Sequence, residues 1–214
     1  ESNAQIVEVN ESKFMTAFEK IKTDLLDEYH PIESEMIVSI EKLQKVPETI
    51  ISFECQHTFL KAVAGAHNGV FRMSPAINDL VETSNNVAKI ILDKGLIKID
   101  CLTRSSVESS KENMVSSLRS VFELAGFEVN LSGDYPGWAP NMDSAILKVL
   151  DSLYEKINGE KAHVAACHAG LECGILGTNY PKMDMISFGP TIKGAHSPDE
   201  RASISSTQKF WSFL

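Results

Sequence analysis

Long apolar runs, paired cysteines and clustered basic residues are what this sequence lacks. No apolar stretch approaches the roughly 20 residues that a membrane-spanning helix needs, and no basic-then-apolar leader opens the chain. That pattern points to a cytoplasmic protein with no membrane role. The four cysteines, Cys55, Cys101, Cys167 and Cys173, are far apart or, for the last two, separated by five residues. Neither a zinc-ribbon pair nor a redox Cys-x-x-Cys is present, and reduced thiols are expected. Twenty Lys and Arg against 29 Asp and Glu leave a net charge of -9 and a pI near 5.2. Nucleic acid and anionic membranes attract clustered cations that neutralise phosphate, so both are excluded as partners in favour of a small molecule or peptide.

What is present fits one medium domain or two small ones: 214 residues, 43% hydrophobic and 23% charged. Glu1 is not an initiator Met, and Leu214 falls inside an apolar helical pattern, so both ends read as cut from a longer chain. Gln5 to Val9 alternates as a strand, and Phe14, Phe18, Ile21 and Leu25 share one helical face that ends near Tyr29 and Pro31. Met36–Ile40 predicts a strand, Glu54–Ala66 a weaker helix, and Gly69–Met73 another strand. Val87–Leu92 and Leu96–Thr103 flank Asp93-Lys-Gly95, the pattern of a β-hairpin whose glycine supplies positive φ. Ser109 with Glu112 fits a capping box for a helix carrying Met114, Leu118, Val121, Phe122 and Ala125, which Gly126 ends. Phe127–Leu131 then alternates as a strand. This order predicts an antiparallel sheet with helices on one face.

Two glycines and two prolines in Ser132–Pro140 mark a boundary. Beyond it, Asp143 is positioned to cap a helix bearing Ile146, Leu147, Leu150, Leu153, Tyr154 and Ile157, and His163–Cys167 reads as a short buried strand. Met183–Phe188 predicts a further strand, 189–200 an irregular loop, and Ser205–Leu214 a helix capped by Ser205 with Gln208, its Phe210, Trp211 and Leu214 facing a core. Helix alternating with strand gives this part an α/β character, and the chain as a whole an α+β one.

Three places carry candidate chemistry. His196 stands between Ala195 and Ser197 in a loop that leaves a strand, where an imidazole can reach a metal ion uncrowded; an exposed loop histidine is the competing reading. Cys167-His-Ala-Gly-Leu-Glu-Cys173 follows the buried strand, with Gly170 permitting close backbone approach and Glu172 able to accept a hydrogen bond. A thiol nucleophile with His168 as base is disfavoured there, because neighbouring strand residues point to opposite faces. Both cysteines read instead as small buried residues. Arg104, ending the hairpin, is a fork-shaped cation suited to a carboxylate or to a surface salt bridge. The amides and hydroxyls of Val81–Asn86 beside it suit either gripping a polar group or satisfying turn backbone, and the sequence favours the turn slightly.

Several separated blocks together resemble one family. Arg72-Met-Ser-Pro75, Leu80–Asn86, Arg104-Ser-Ser-Val107, Tyr135-Pro-Gly-Trp138, Cys167–Gly174 and Asp184–Arg201 look like the bacterial aminoacyl-histidine dipeptidases, of the aminoacylase and carboxypeptidase-type di-zinc metallopeptidases. The match runs from about residue 69 to the end, with residues 1–68 resembling the family's insert more loosely. The resemblance implies a lid and dimerisation domain, residues 1–133 and truncated at its N-terminus, followed by residues 134–214 as the C-terminal part of a split α/β catalytic domain. It implies hydrolysis of Xaa-His and related dipeptides by a water shared between two zinc ions, with a Glu base. His196 matches the last metal ligand. The other ligands and the base belong to His-x-Asp and Glu-Glu motifs that this sequence does not contain, so the isolated chain would be inactive and would not hold both zinc ions. By the same resemblance Arg104 binds the substrate carboxylate, with Asn85 or Asn86 beside it. His168 would stabilise the oxyanion, and Gly170 and Glu172 would shape the pocket. A homodimer through the lid is implied as well. A non-catalytic binding or dimerisation module is the alternative, and a cysteine hydrolase a third reading.

Overall fold

The computed structural model describes residues 2–8, 10–45, 47–166 and 172–214. The chain divides into two compact units, Glu1–Gln56 and His57–Leu214. In the first, Asn10 accepts a hydrogen bond from the Lys13 amide and starts helix α1 (Glu11–Tyr29). Phe14, Phe18 and Leu25 are half-buried along its predicted face, while Ile21 is exposed and no residue of the helix is fully buried. The strands expected at 5–9 and 36–40 do not form among the described residues. A strand takes its hydrogen bonds from a neighbour, and no described segment of this unit supplies one.

Helix α2 (Phe53–Gly65) leads into the second unit, whose sheet is β1 (Gly69–Met73), β2 (Val81–Asp93) and β3 (Leu96–Ser105), antiparallel in the order β1-β2-β3. The hairpin is where the sequence predicts it. Lys94 at φ 48° and Gly95 at φ 79° form a two-residue turn of the kind whose twist matches the strands, and Asp93 pairs with Leu96 across it. Val81–Asn86 is not the expected turn. These residues are the inner half of β2, paired with β1 on one side and β3 on the other. Their polar side chains look turn-like in sequence but are satisfied inside the fold: the Thr83 hydroxyl lies 2.8 Å from both Ser105 Oγ and Ser110 Oγ.

Helix α3 (Glu108–Leu124) packs on β2 and β3. Its Met114, Leu118 and Phe122 form the core with Ala62 and Ala66, flanked by Val87, Ile99, Ala125, Phe127 and Val129. The capping box is absent, because the helix begins one residue before Ser109. Ser105 Oγ instead accepts from the Val107 amide at 3.1 Å and donates to the Val107 carbonyl at 2.9 Å. At the other end Gly126 adopts φ 82° and the Phe127 amide reaches back to the Phe122 carbonyl, the hydrogen bond of a Schellman stop. Phe127–Leu131 alternates in burial as far as Asn130 but joins no ladder. The alternation reports one side facing the core and carries no information about a strand partner.

In the remainder, Ser144 rather than Asp143 caps α4 (Ala145–Asn158), accepting from the Leu147 amide, while Asp184 Oδ2 accepts from the Ile146 amide at 3.1 Å. Of the strand expected at 163–167, residues 163–166 are not a strand and Cys167 lies outside the described residues; residues 183–188 are not a strand either. A helix the sequence did not suggest, α5 (Glu172–Asn179), occupies the end of the expected turn, and the expected loop contains a two-residue ladder of β4 (Ile192–Lys193) with β5 (Arg201–Ala202). The last helix, α6 (Ile204–Phe213), is capped by Ser203 rather than Ser205, which selects Ser206, Phe210 and Phe213 as its half-buried face. Trp211 and Leu214, expected inside, are 77% and 74% exposed. Phe210 and Phe213 instead stack on Phe188, and Phe213 also stacks on Tyr154, an aromatic cluster joining α4, α6 and the segment before β4. Among the described residues no helix is long and apolar enough to cross a membrane.

Candidate functional site

The two faces of the sheet are chemically different. Thr83 and Asn85 face α3, as the Thr83–Ser110 hydrogen bond shows. Residues opposite one another across a ladder share a face, so Ser84 with Arg104 and Asn86 with Leu102 lie on the other side. Arg104 is exposed there, and no hydrogen bond or ion pair joins its guanidinium to another described residue. Asn86 is exposed on the same face. Asn85 is 2% exposed, its Nδ2 donating to the His67 carbonyl at 2.8 Å and its Oδ1 accepting from Thr103 Oγ1 at 2.9 Å. Both ends of that amide are engaged in holding β2 between the α2–β1 connection and β3.

One carboxylate on this side escapes a reading by spacing. Glu82 is 4% exposed, and its Oε1 lies 3.1 Å from Arg72 Nε, so burial of the charge is compensated by a cation on β1. Burial of an isolated Glu in a strand has no periodic signature; the only hint is that Arg72 and Glu82 fall on adjacent strands.

Beyond β3 the chain returns through Asp134–Trp138 and lies against the strand end. A Cβ on Gly137 would stand 2.7 Å from the Ser105 carbonyl oxygen and 2.8 Å from that of Ser106, a separation that only glycine allows. A Cβ on Gly174, in the first turn of α5, would run into the Pro136 carbonyl oxygen. Two glycines thus let β3, the returning segment and α5 touch backbone to backbone. Glu172 opens α5 and is exposed, and Cys173 behind it is half-buried rather than buried. Beside this contact lies a cavity of about 480 Å³ whose lining includes Glu108, Asp134, Trp138, Cys173 and Thr178. Burial, together with the Glu172 carboxylate and Cys173, pushes the Tyr135 phenol above its ordinary value. The structure therefore joins the strand end that carries Arg104 to the helix start that carries Glu172. His168 and Gly170 lie outside the described residues.

His196 is held by its own loop. Its backbone takes φ 64°, a conformation uncommon for a residue with a side chain, and its amide donates to Glu200 Oε2 at 2.7 Å. Ser197 donates both its amide and its hydroxyl to the Gly194 carbonyl. The turn projects an exposed imidazole from a constrained backbone. A structural zinc site takes four ligands and a catalytic one three with a water. Among the described residues no group of three or more His, Cys, Asp or Glu is placed to hold a metal ion. These residues therefore do not make a zinc site by themselves, and His196 is a single imidazole of the right type.

No protein-family profile matches the chain. Along almost its whole length, in sequence and in fold, the chain is instead similar to part of two dipeptidases. It is 34% identical over 211 residues to the cytosol non-specific dipeptidase of Escherichia coli strain K12, a match covering 99% of this chain and 42% of that protein. The crystal structure of the aminoacylhistidine dipeptidase from Vibrio alginolyticus superposes with a TM-score of 0.83 at 39% identity, covering 94% of this chain and 41% of that one. The chain thus spans about two fifths of the length of these relatives. The mixed architecture of helices with an antiparallel sheet agrees with that correspondence.

Proposed function

We propose that the chain is the lid and C-terminal catalytic part of a cytoplasmic dipeptidase that cleaves Xaa-His and related dipeptides. Residues 1–133 serve as the lid and 134–214 complete the catalytic domain. The observation that carries the reading is Arg104: an exposed guanidinium with no described partner, on a sheet face with Asn86, at a strand end fixed by the return segment. A free dipeptide ends in a carboxylate, and a planar guanidinium binds a carboxylate bidentately. Of the two neighbouring amides, Asn86 is the one available to a ligand, since Asn85 is bonded within the fold. Glu172, with His168 and Gly170, forms the pocket wall near the scissile bond, His168 steadying the developing oxyanion. His196 offers one zinc ligand, with the remaining ligands and the base supplied from elsewhere in the enzyme. Zinc, once bound by the complete enzyme, polarises the substrate carbonyl and activates water.

That one relative is a cytosol dipeptidase supports the compartment, and that both relatives are dipeptidases supports the substrate class. On this reading the 214-residue chain mixed with zinc and a Xaa-His dipeptide shows no turnover; metal-dependent hydrolysis by it alone would contradict that. In the complete dipeptidase, Arg104→Ala should raise KM for a free dipeptide by about 100-fold, the scale of a lost charge-assisted pair. An unchanged KM would remove the carboxylate role.

A second reading rests on a different observation. The outer half of the hairpin, Ile90–Leu92 with Leu96, exposes its apolar side chains, which favours a binding surface through which two lids associate as a homodimer. Sedimentation of the purified chain tests the dimer, which a strict monomer excludes, and Arg104→Ala in the complete enzyme separates the two readings, an unchanged KM favouring the module.

A further inference from the structure

Beside the contact between β3, Asp134–Trp138 and α5 lies a cation that the dipeptidase reading does not use. Lys111, in the second turn of α3, has a side chain only 12% exposed. Its Nζ donates to Asp134 Oδ1 at 2.6 Å and to the Tyr135 carbonyl at 3.1 Å, and lies 2.7 Å from Glu108 Oε1. All three acceptors are oxygen, which matches the three donors of an ammonium group. Two of them belong to the returning segment, about 23 residues downstream, and the third to the start of α3 itself. The lysine therefore holds that segment on the helix at the point where it enters the glycine contacts.

What those contacts hold is specific. Gly137 sits on the carbonyls of Ser105 and Ser106, immediately after Arg104, and Gly174 sits under the Pro136 carbonyl, two residues after Glu172. The Ser105 end is itself anchored to α3 through the Thr83 and Ser110 hydroxyls. Glycine contacts this close transmit displacement, because neither side has a flexible side chain to absorb it. A shift of Asp134–Trp138 moves the backbone through which the strand end carrying Arg104 meets α5.

We propose that Lys111 is a positioning residue that, by fixing Asp134 and Tyr135 to the start of α3, sets the spacing between the Arg104 strand end and the Glu172 helix start. Arg104 takes the substrate carboxylate only under the dipeptidase reading above, so the link to substrate rests on that reading, whereas the clamp itself does not. Burial alone would lower the Lys111 pKa, but the hydrogen bonds and charges of Asp134 and Glu108 outweigh it and raise it, so the clamp is charged throughout the neutral range.

The test has two arms. In the chain alone, alkylation of Cys173, read by site-resolved mass spectrometry, reports whether α5 stays seated on Pro136. Lys111→Met should speed that alkylation about tenfold, while Lys111→Arg, which keeps a charge and several donors, should restore most of the protection. Chemical denaturation of the same variants separates local release from general unfolding. An unchanged Cys173 rate in Lys111→Met, or a faster rate that simply follows lost global stability, overturns the clamp. In the complete dipeptidase, Lys111→Met should raise KM for a free dipeptide about tenfold and change kcat less than about threefold, because positioning a binding group alters affinity more than chemistry. A faster Cys173 reaction with unchanged KM would leave the clamp and overturn its link to substrate. If Arg104→Ala is also without effect on KM, it is the carboxylate reading that has failed and not the clamp.

Discussion

Residues 57–131 and residues 139–214 are built on different principles. The first region has a closed core, in which Met114, Leu118 and Phe122 meet Ala62 and Ala66 between helices and sheet. The second has no fully buried apolar side chain among its described residues, and neither α4 nor α6 buries any residue completely. It is held by helix caps, by the Asp184 bond to α4 and by the aromatic cluster of Tyr154, Phe188, Phe210 and Phe213. A helix with a strong apolar stripe and no buried residue is shaped for a partner surface. Apolar patterning therefore predicts structure well where its partner is nearby in the chain, and poorly where it is not.

The largest test of that contrast is in the core. Met114→Ala should cost about 2–5 kcal/mol, the usual range for emptying a fully buried position, and lower the urea midpoint accordingly. Leu153→Ala, on the half-exposed face of α4, should cost less than about 1 kcal/mol. Equal losses at the two sites would break the comparison. The second region meets the connecting segment 132–138 at Gly174, where Gly174→Ala drives a methyl group into the Pro136 carbonyl. Its expected cost is about 1–3 kcal/mol, that of overpacking against unyielding backbone.

The smallest effect is electrostatic and confined to the second region. Hydrogen bonds from Ser144 and then from the Ile146 amide hold the Asp184 carboxyl below the usual carboxylate range. A depressed carboxylate stabilises the fold above its ordinary pKa and loses that contribution as pH falls through its folded value. The start of α4 should therefore fray below about pH 4, seen as loss of the shifted Ile146 amide resonance, while the Met114 core is unaffected. Asp184→Asn should remove the pH dependence. Asp134, held low by its hydrogen bond and charge contact with Lys111, should release the returning segment over the same acid range.

The same contrast explains what was legible in the sequence. The hairpin, its Lys94-Gly95 turn, the first strand, the apolar face of α3 and, apart from the exposed Ile21, that of α1 follow from local periodicity and turn chemistry, and they stand where expected. Val81–Asn86 looks turn-like in sequence because Thr83 and Asn85 are polar groups buried in a strand, and their partners, Ser110, His67 and Thr103, are distant in sequence. Strands expected at 127–131 and 183–188 have the side-chain pattern without a paired neighbour. Helix α5 carries two glycines, Gly174 and Gly177, which argue against a helix by propensity, and Gly174 is the one that the close approach of Pro136 requires. Of the candidate site, Arg104 and His196 were visible as residue types in suggestive blocks. Lys111 was not, because an ion pair 23 residues apart leaves no mark in either segment.

The measurement that bears most directly on the account compares a free dipeptide with its C-terminal amide in the complete dipeptidase, with Arg104 intact and with Arg104→Ala. The predicted result is a preference for the free acid of about 100-fold in kcat/KM that Arg104→Ala abolishes, because only the acid presents a carboxylate to the guanidinium. A preference that survives Arg104→Ala undiminished would contradict the role assigned to this sheet face.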